Sequence, residues 1–419
     1  MKKVIKFFQT YFSLSSYAGY DTRLRNGLVF GRPWSPLRFS GRFFPFWFGK
    51  YNYNNILLHA KNISNEKDIE ISDNGTFNFT RYLEKKLLFK IVQMLKLPFK
   101  PFSGYITSGA TEANMYAMWI AREWAKSKKL KDSKVYWIIP DNAHYSIEKS
   151  LELMDVRRNP DNEIIQIETN ALGDAKYEKI VEFIKEHSSS PIILPLTVMT
   201  TECGAIDPVK QINDFIIQSK LDNIFFHVDA AFSGFILPFL NEYSSIFSLD
   251  SLTSISVDFS KTIGGNVGSG AVIFRAGLEE YVKIHASYLS TNADQTLTGS
   301  RKGSDVIAMY SILSVNSDFD IKKDILNAFK KTRFLVKEIS KLNSIKLFYG
   351  PKLNYIVFSL NIESGTKGEK LRKILKSYAI SSSMVKIEHK EQELFKIILR
   401  SDHSYKNIKK LINSLKTVS

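Results

Sequence analysis

The sequence predicts an α/β fold, a mostly parallel sheet with helices on both faces, followed by a small α+β unit. Three observations predict it. Short apolar runs alternate with helical stretches between about residues 135 and 275, as strands joined by crossover helices do. After about residue 315 the order changes to a long helix, two strands, helix, strand and helix, which does not extend a parallel sheet. With 419 residues, 44% of them hydrophobic, the chain can bury a large core and divide into two or three units.

Residues 1–55 read as a basic, aromatic arm. Pro33-Trp34-Ser35-Pro36 and Phe43-Phe44-Pro45-Phe46-Trp47-Phe48 have neither helical nor strand period. So many rings are not left in water, and the arm is expected to lie across the body or a second subunit. From about residue 79, Tyr82, Leu83, Leu87, Leu88, Ile91, Val92 and Leu95 form a helical apolar stripe that stops before Pro98. Gly104 to Asn114 reads as a small-residue turn leading into a helix from Met115 to about Ala125. Backbone N–H groups and the helix dipole at such a start favour a phosphate.

Strands are then expected at Val135–Ile139, Ile164–Ile167, Ile192–Val198, Ile224–Val228, Ile255–Val257 and Ala271–Phe274, with helices near 145–154, 176–187 and 208–219 between the first four. The small unit reads as helix 319–343, strands Ile345–Phe348 and Tyr355–Leu360, helix 366–377, strand Leu394–Leu399 and helix 404–416. The division is an arm over 1–55, a large unit over 56–314 and a small unit over 315–419.

Composition excludes several function classes. The one cysteine, Cys203, rules out an intramolecular disulfide and a cysteine-built metal site, and the seven histidines lack close metal-ligand spacing. No apolar run reaches membrane-span length, and Met1-Lys2-Lys3-Val4-Ile5-Lys6 opens no signal peptide, so a cytoplasmic protein is expected. The net charge of +16 raises nucleic acid as a partner, but its distribution argues otherwise. Nine Lys or Arg stand against Asp21 alone in the first 60 residues, about half of the excess, and the rest is spread over lysine-rich helix faces.

Two runs carry the chemistry. Ile224-Phe225-Phe226-His227-Val228-Asp229 is an apolar strand that delivers one acid to the carboxyl edge of the sheet, where ligands of such sheets sit. Ser254-Ile255-Ser256-Val257 repeats the design, with Lys261 just past its end. An acid and an amine in an apolar setting each need a partner. Pyridoxal phosphate supplies both: its aldehyde takes the lysine amine, and its ring nitrogen keeps a proton only against an anion. Lys261 is thus expected to carry the cofactor and Asp229 to face the ring nitrogen.

The motifs taken together resemble the group II pyridoxal-phosphate-dependent amino-acid decarboxylases, and most nearly the archaeal L-tyrosine/L-aspartate decarboxylase family. The resemblance runs from about Asn78 to His403. It rests on Phe79-Thr80-Arg81-Tyr82-Leu83-Glu84, Thr107 to Asn114, His144-Tyr145-Ser146, Thr200 to Pro208, His227 to Ala231 with Gly234 to Phe239, Asp258 to Lys261, and Leu297 to Gly303. It implies fold type I, the aspartate-aminotransferase-like architecture, and decarboxylation of an amino-acid substrate. Carried over residue by residue, Ser108, Gly109, Ala110 and Thr111 look like the phosphate cradle. His144 looks like the histidine stacked on the ring, with Ala231 on the opposite face. Thr200 and Thr201 match a pair near the ring oxygen and Asp229. Thr298 and Gly299 resemble a turn that reaches the phosphate of a neighbouring subunit, which implies a homodimer with active sites at the interface.

One position departs from the family pattern: Ser260 stands where most members have histidine, so no imidazolium charge is available there. Lys261 and Tyr288 are the candidates for returning a proton to Cα. Aspartate, tyrosine and glutamate stay open as substrates. A carbon–carbon lyase of the same fold, similar to sphingosine-phosphate lyase, and a catalytically idle nucleic-acid-binding protein are the competing readings.

Overall fold

The computed structural model describes residues 60–63, 79–98, 101–131, 133–287, 292–299, 301–348, 353–361, 365–388 and 390–418. The arm expected over residues 1–55 lies outside them, and so does Tyr288. Eight strands form the main sheet: β1 (Ala60–Ile63), β2 (Phe102–Thr107), β3 (Val135–Pro140), β4 (Asn162–Ile167), β5 (Ile192–Thr197), β6 (Ile224–Asp229), β7 (Ser254–Asp258) and β8 (Gly270–Arg275). Their order across the sheet is β1-β2-β8-β7-β6-β5-β3-β4. β4, β3, β5, β6 and β7 run parallel, whereas β8 is antiparallel to both β7 and β2. The reversal follows from chain length: 258 and 270 are too close for the dozen or more residues of a parallel crossover.

The helices of this unit are α1 (Phe79–Leu95), α2 (Ala110–Lys128), α3 (Tyr145–Leu153), α4 (Tyr177–Glu186), α5 (Val209–Gln218), α6 (Phe259–Thr262) and α7 (Gly303–Val315). They cover both faces, and the strands read as near-continuous apolar runs for that reason. On β6, Phe225 packs with Ala117, Trp124 and Ile147 of α2 and α3, whereas Phe226 and Val228 pack on the opposite side with Leu87, Ile212 and Met309 of α1, α5 and α7. The period of two therefore turns Phe225, His227 and Asp229 toward α2.

The stretch Gly104 to Asn114 is a correction. It is a buried strand through Thr107, then a two-residue turn at Ser108 and Gly109, and the helix starts at Ala110 rather than Met115. Glycine and serine content hid the strand. Gly104 is required there because a Cβ would lie 2.3 Å from the Val272 carbonyl oxygen of the neighbouring strand. α7 and the strands Ala60–Ile63 and Ser382–Ile387 are further elements that the sequence pattern did not mark.

Two short strands, β9 (Ile284–His285) and β10 (Ala293–Asp294), pair with each other. The remainder consists of α8 (Asp318–Ile339), β11 (Ile345–Leu347), β12 (Tyr355–Leu360), α9 (Thr366–Ser377), β13 (Ser382–Ile387), β14 (Lys390–Ile398) and α10 (Tyr405–Lys416). Its antiparallel sheet, ordered β11-β12-β14-β13, has its own apolar cluster around Phe358, Phe395, Leu371 and Leu411. α8 starts sharply because Ser317 and Asp320 cap each other: the Ser317 hydroxyl accepts from the Asp320 amide at 3.2 Å, and the Asp320 carboxylate accepts from the Ser317 amide at 3.1 Å.

A buried ion pair ties α1 to the sheet edge. Arg301 donates to both carboxylate oxygens of Glu84, the second at 3.3 Å, and the two side chains are 5% and 1% exposed. Glu84 also accepts from the Ile106 amide at 2.8 Å, and the Arg301 guanidinium lies 4.6 Å from the centre of the Tyr105 ring. Removing one partner leaves an uncompensated buried charge, so Glu84→Ala is expected to lower unfolding stability by about 3–5 kcal/mol. Chemical denaturation of the two proteins measures it, and a difference below about 1 kcal/mol would refute this reading of the pair.

Candidate active site

Strand period and register build the site from two strands. His227 and Asp229 lie on the α2 side of β6, and β7 places Ser254 beside His227 and Ser256 beside Asp229. Ile255 and Val257 point to the other face and pack in the main core. A strand that is apolar on one side thus presents serines on the other, where α2 crosses.

Asp229 is 4% exposed. Its Oδ1 accepts from the Ala231 amide at 2.9 Å and faces the Ser256 hydroxyl at 3.5 Å, and its Oδ2 accepts from Asn114 Nδ2 at 2.7 Å. Burial by itself pushes this carboxyl upward. The charge of Lys261, the His144 imidazole, the Ala231 amide and Asn114 together outweigh it, and the group is held below the usual carboxylate range. The acid and the amine singled out in the sequence therefore face each other's charge at the carboxyl edge of the sheet.

Lys261 sits on α6, the single turn that follows β7, and Asp258 caps that turn by accepting from the Ser260 amide at 2.8 Å. The Ser260 hydroxyl is turned onto the same carboxylate at 2.5 Å. Beside Lys261 lies a cavity walled by Phe235, Ile236, Ile321, Phe329 and Leu353, with Arg400 among its polar lining. Arg400 is held by Asp402 at 2.7 Å.

His144 caps α3. Its Nδ1 lies 2.8 Å from the Ser146 hydroxyl and accepts from the Ser146 amide at 3.3 Å. Burial lowers its pKa; Asp229 opposes that and Lys261 adds to it, and the ring is neutral at pH 7.

The turn read as a phosphate cradle is held in place by glycines. Gly109 has a φ of 105°, which favours glycine, and no side chain caps α2. A Cβ on Gly270 would come within 2.7–2.9 Å of Gly109 and Ala110, so only glycine lets β8 pass under the turn. The start of α2 thus carries amides that its own helix does not satisfy, a setting that favours an anion. One of them, of Ala110, is 3.2 Å from Asp258 Oδ2. Ser108 is exposed and Thr111 half-buried at the same helix start.

The other residues singled out in the sequence are placed as follows. Thr200 uses its hydroxyl inside its own turn, accepting from the Ala205 amide at 3.0 Å. The Thr201 carbonyl accepts from Tyr355 and, at 2.9 Å, from Lys396, which also pairs with Glu202 at 3.1 Å. Ala231 is buried next to Asp229. Thr298 donates to Glu112 at 3.3 Å, in the first turn of α2 of the same chain, and Gly299 closes a tight turn onto Thr296. Among the described residues no cluster of three His, Cys, Asp or Glu is arranged to hold a metal.

Sequence reading missed the residues between these groups: Asn114, Ser146, His227 and Ser256. Each lay inside a motif already noted. The available signal was polar residues at period two, His227 with Asp229 and Ser254 with Ser256, on strands otherwise apolar.

A helix start suited to a phosphate, a strand-tip carboxylate kept ionised and a lysine facing it fit pyridoxal phosphate. The family described as the pyridoxal-dependent decarboxylase conserved domain matches residues 78–361. The chain belongs to this family. A probable L-tyrosine/L-aspartate decarboxylase from Methanococcus aeolicus is 34% identical over 303 residues, covering 69% of this chain and 74% of that protein. A histidine decarboxylase of Acinetobacter baumannii is 27% identical over 315 residues, covering 75% of this chain and 76% of that protein. The solved glutamate decarboxylase of Lactobacillus brevis superposes with a TM-score of 0.76 at 16% identity, over 98% of this chain and 91% of its own, and shares the fold type I architecture. This pyridoxal-dependent decarboxylase is a carboxy-lyase with pyridoxal 5'-phosphate as cofactor. No helix among the described residues is long and apolar enough to cross a membrane.

Burial pushes the His227 imidazole down to about 4. The folded state then resists a proton that the unfolded state accepts near 6.5, so stability present above that pH is lost as pH falls from about 6.5 toward 4. Between pH 7 and 5 the loss is about 2 kcal/mol. Denaturation midpoints at the two pH values are expected to fall further for the wild type than for His227→Asn, and equal slopes would refute the assignment.

Proposed function

We propose that Lys261 carries the cofactor, that Asp229 holds the proton of its ring nitrogen, and that the enzyme decarboxylates L-aspartate or L-tyrosine, with L-glutamate a further candidate. One observation carries the proposal: a buried strand-tip carboxylate that accepts from Asn114 at 2.7 Å and from the Ala231 amide at 2.9 Å, within reach of the Lys261 charge. When bound, pyridoxal phosphate supplies an electron-withdrawing ring into which the electrons of a breaking Cα–carboxylate bond can flow.

The remaining tasks belong to the chain. The amides at the start of α2, with the Thr111 hydroxyl, bind the phosphate, and Ser260 steadies Asp258 next to them. His144 would pack against one face of the ring and Ala231 against the other. Asp229 keeps a negative charge fixed where positive charge must persist, a preorganised electrostatic effect. Lys261 and Tyr288 are the groups positioned in sequence to return a proton to Cα. The cavity beside Lys261 has apolar walls for an aromatic side chain and Arg400 for an acidic one. A cytoplasmic homodimer, with Thr298 and Gly299 near the subunit contact and the basic arm across it, completes the proposal.

Release of CO2 measured across the protein amino acids tests the substrate. Aspartate and tyrosine are expected to rank first, and a maximum on histidine or methionine would displace them. Asp229→Ala, with cofactor still bound, is expected to lower turnover at least about a hundredfold, roughly 2.7 kcal/mol of barrier. Retention of more than half the wild-type turnover would contradict the role given to Asp229.

A further inference from the structure

We infer that Asn114 is a positioning residue that sets two cofactor-facing groups at once, Asp229 as a hydrogen-bond acceptor and His144 as an Nε2–H donor. The inference deepens the site proposed above and rests on it. An asparagine amide has two N–H donors and a carbonyl oxygen with two lone pairs. Asn114, fully buried on α2, uses all four. Its Nδ2 donates to Asp229 Oδ2 at 2.7 Å and to the Ser146 hydroxyl at 2.8 Å. Its Oδ1 accepts from the Ser256 hydroxyl at 2.5 Å and from His227 Nε2 at 3.1 Å.

The directions of these bonds are forced. An ionised carboxylate offers no proton, so the amide nitrogen must face Asp229 and the amide oxygen must face away. His227 then carries its proton on Nε2, and its Nδ1, 2.8 Å from Ser254, accepts from that hydroxyl. On the other arm, Ser146 has accepted from Asn114 and turns its own proton toward His144 Nδ1, 2.8 Å away. The Ser146 amide donates to the same nitrogen. Two donors on Nδ1 leave the ring proton of a neutral His144 on Nε2, the nitrogen that faces away from the helix cap. One amide thereby supplies a donor to the carboxylate on one side of the site and sets the tautomer on the other.

The titratable groups facing Asp229 are Lys261 from α6, His144 ahead of α3 and His227 on its own strand; Glu202 and Asp258 act in turn on His144. None of them can replace a neutral N–H donor at Oδ2. Asn114→Asp keeps the shape and the Ser256 contact but puts a second carboxylate against the first, and two such groups share a proton. Asn114→Ala removes the donor without adding charge. Ser146→Ala cuts only the arm to His144.

The test uses the holoenzyme. Wild type and the three variants are loaded with pyridoxal phosphate; one portion of each is reduced with borohydride and mapped for modification of Lys261, and in a second, unreduced portion the visible band of the bound cofactor is titrated with acid. In Asn114→Asp and Asn114→Ala the acid-side midpoint is expected to move to higher pH by about one unit or more, with Lys261 still modified. In Ser146→Ala the midpoint is expected to stay with the wild type while kcat falls about tenfold at unchanged KM. A merely structural asparagine would lower the melting temperature and leave the midpoint alone. Wild-type midpoints in both Asn114 variants, with Lys261 modified, overturn the inference and leave the site standing. Absence of Lys261 modification in the wild type overturns both. If Asn114→Asp does not fold, Asn114→Ala and Ser146→Ala decide the matter.

Discussion

A negative charge buried at the tip of β6 is the constraint on which the rest of the structure depends. Removing Asp229 from water disfavours its ionised form, and the fold answers with two N–H donors, a cation and an imidazole from four separate elements. The Ala231 amide comes from the strand's own continuation, Asn114 from α2, Lys261 from α6 and His144 from the cap of α3. Each is placed by backbone geometry settled elsewhere. β8 must be glycine at 270 for α2 to start where it does, and β6 and β7 must keep their register for Ser256 to meet Asn114.

The second sheet is fastened to the loops that carry the site rather than to the sheet core alone. Lys386 of β13 pairs with Asp141, three residues before His144, at 3.1 Å. Lys396 of β14 and Tyr355 of β12 both reach the Thr201 carbonyl. Half-exposed ion pairs of this kind contribute little to stability, but they set the spacing of two loops on either side of the site.

Ser260 illustrates how a departure from a family pattern is absorbed locally. Where the resemblance led to the expectation of an imidazole, this chain has a hydroxyl that bends back onto Asp258, and Asp258 also reaches the Ala110 amide at the start of α2. The result is a compact link between the turn bearing Lys261 and the helix start proposed for the phosphate. The link is a neutral-to-anionic hydrogen bond, without the positive charge an imidazolium would add.

Much of this was legible in the sequence. The parallel strands from β3 to β7 are apolar runs of the right length, α1 and α8 show a clear helical stripe, and Asp229 and Lys261 stand out because a charge ending an apolar strand is rare without a partner. β2 escaped because glycines and serines stand in a strand that neighbouring strands press closely. The antiparallel turn of β8 followed from a short connection rather than from any residue pattern. Sequence alone determined which residues carry charge and which elements deliver them. Only the tertiary structure decided that one asparagine on a helix meets two serines, a histidine and a carboxylate from three other elements, because hydrogen-bond partners are chosen by distance in space, and no periodicity along the chain encodes that.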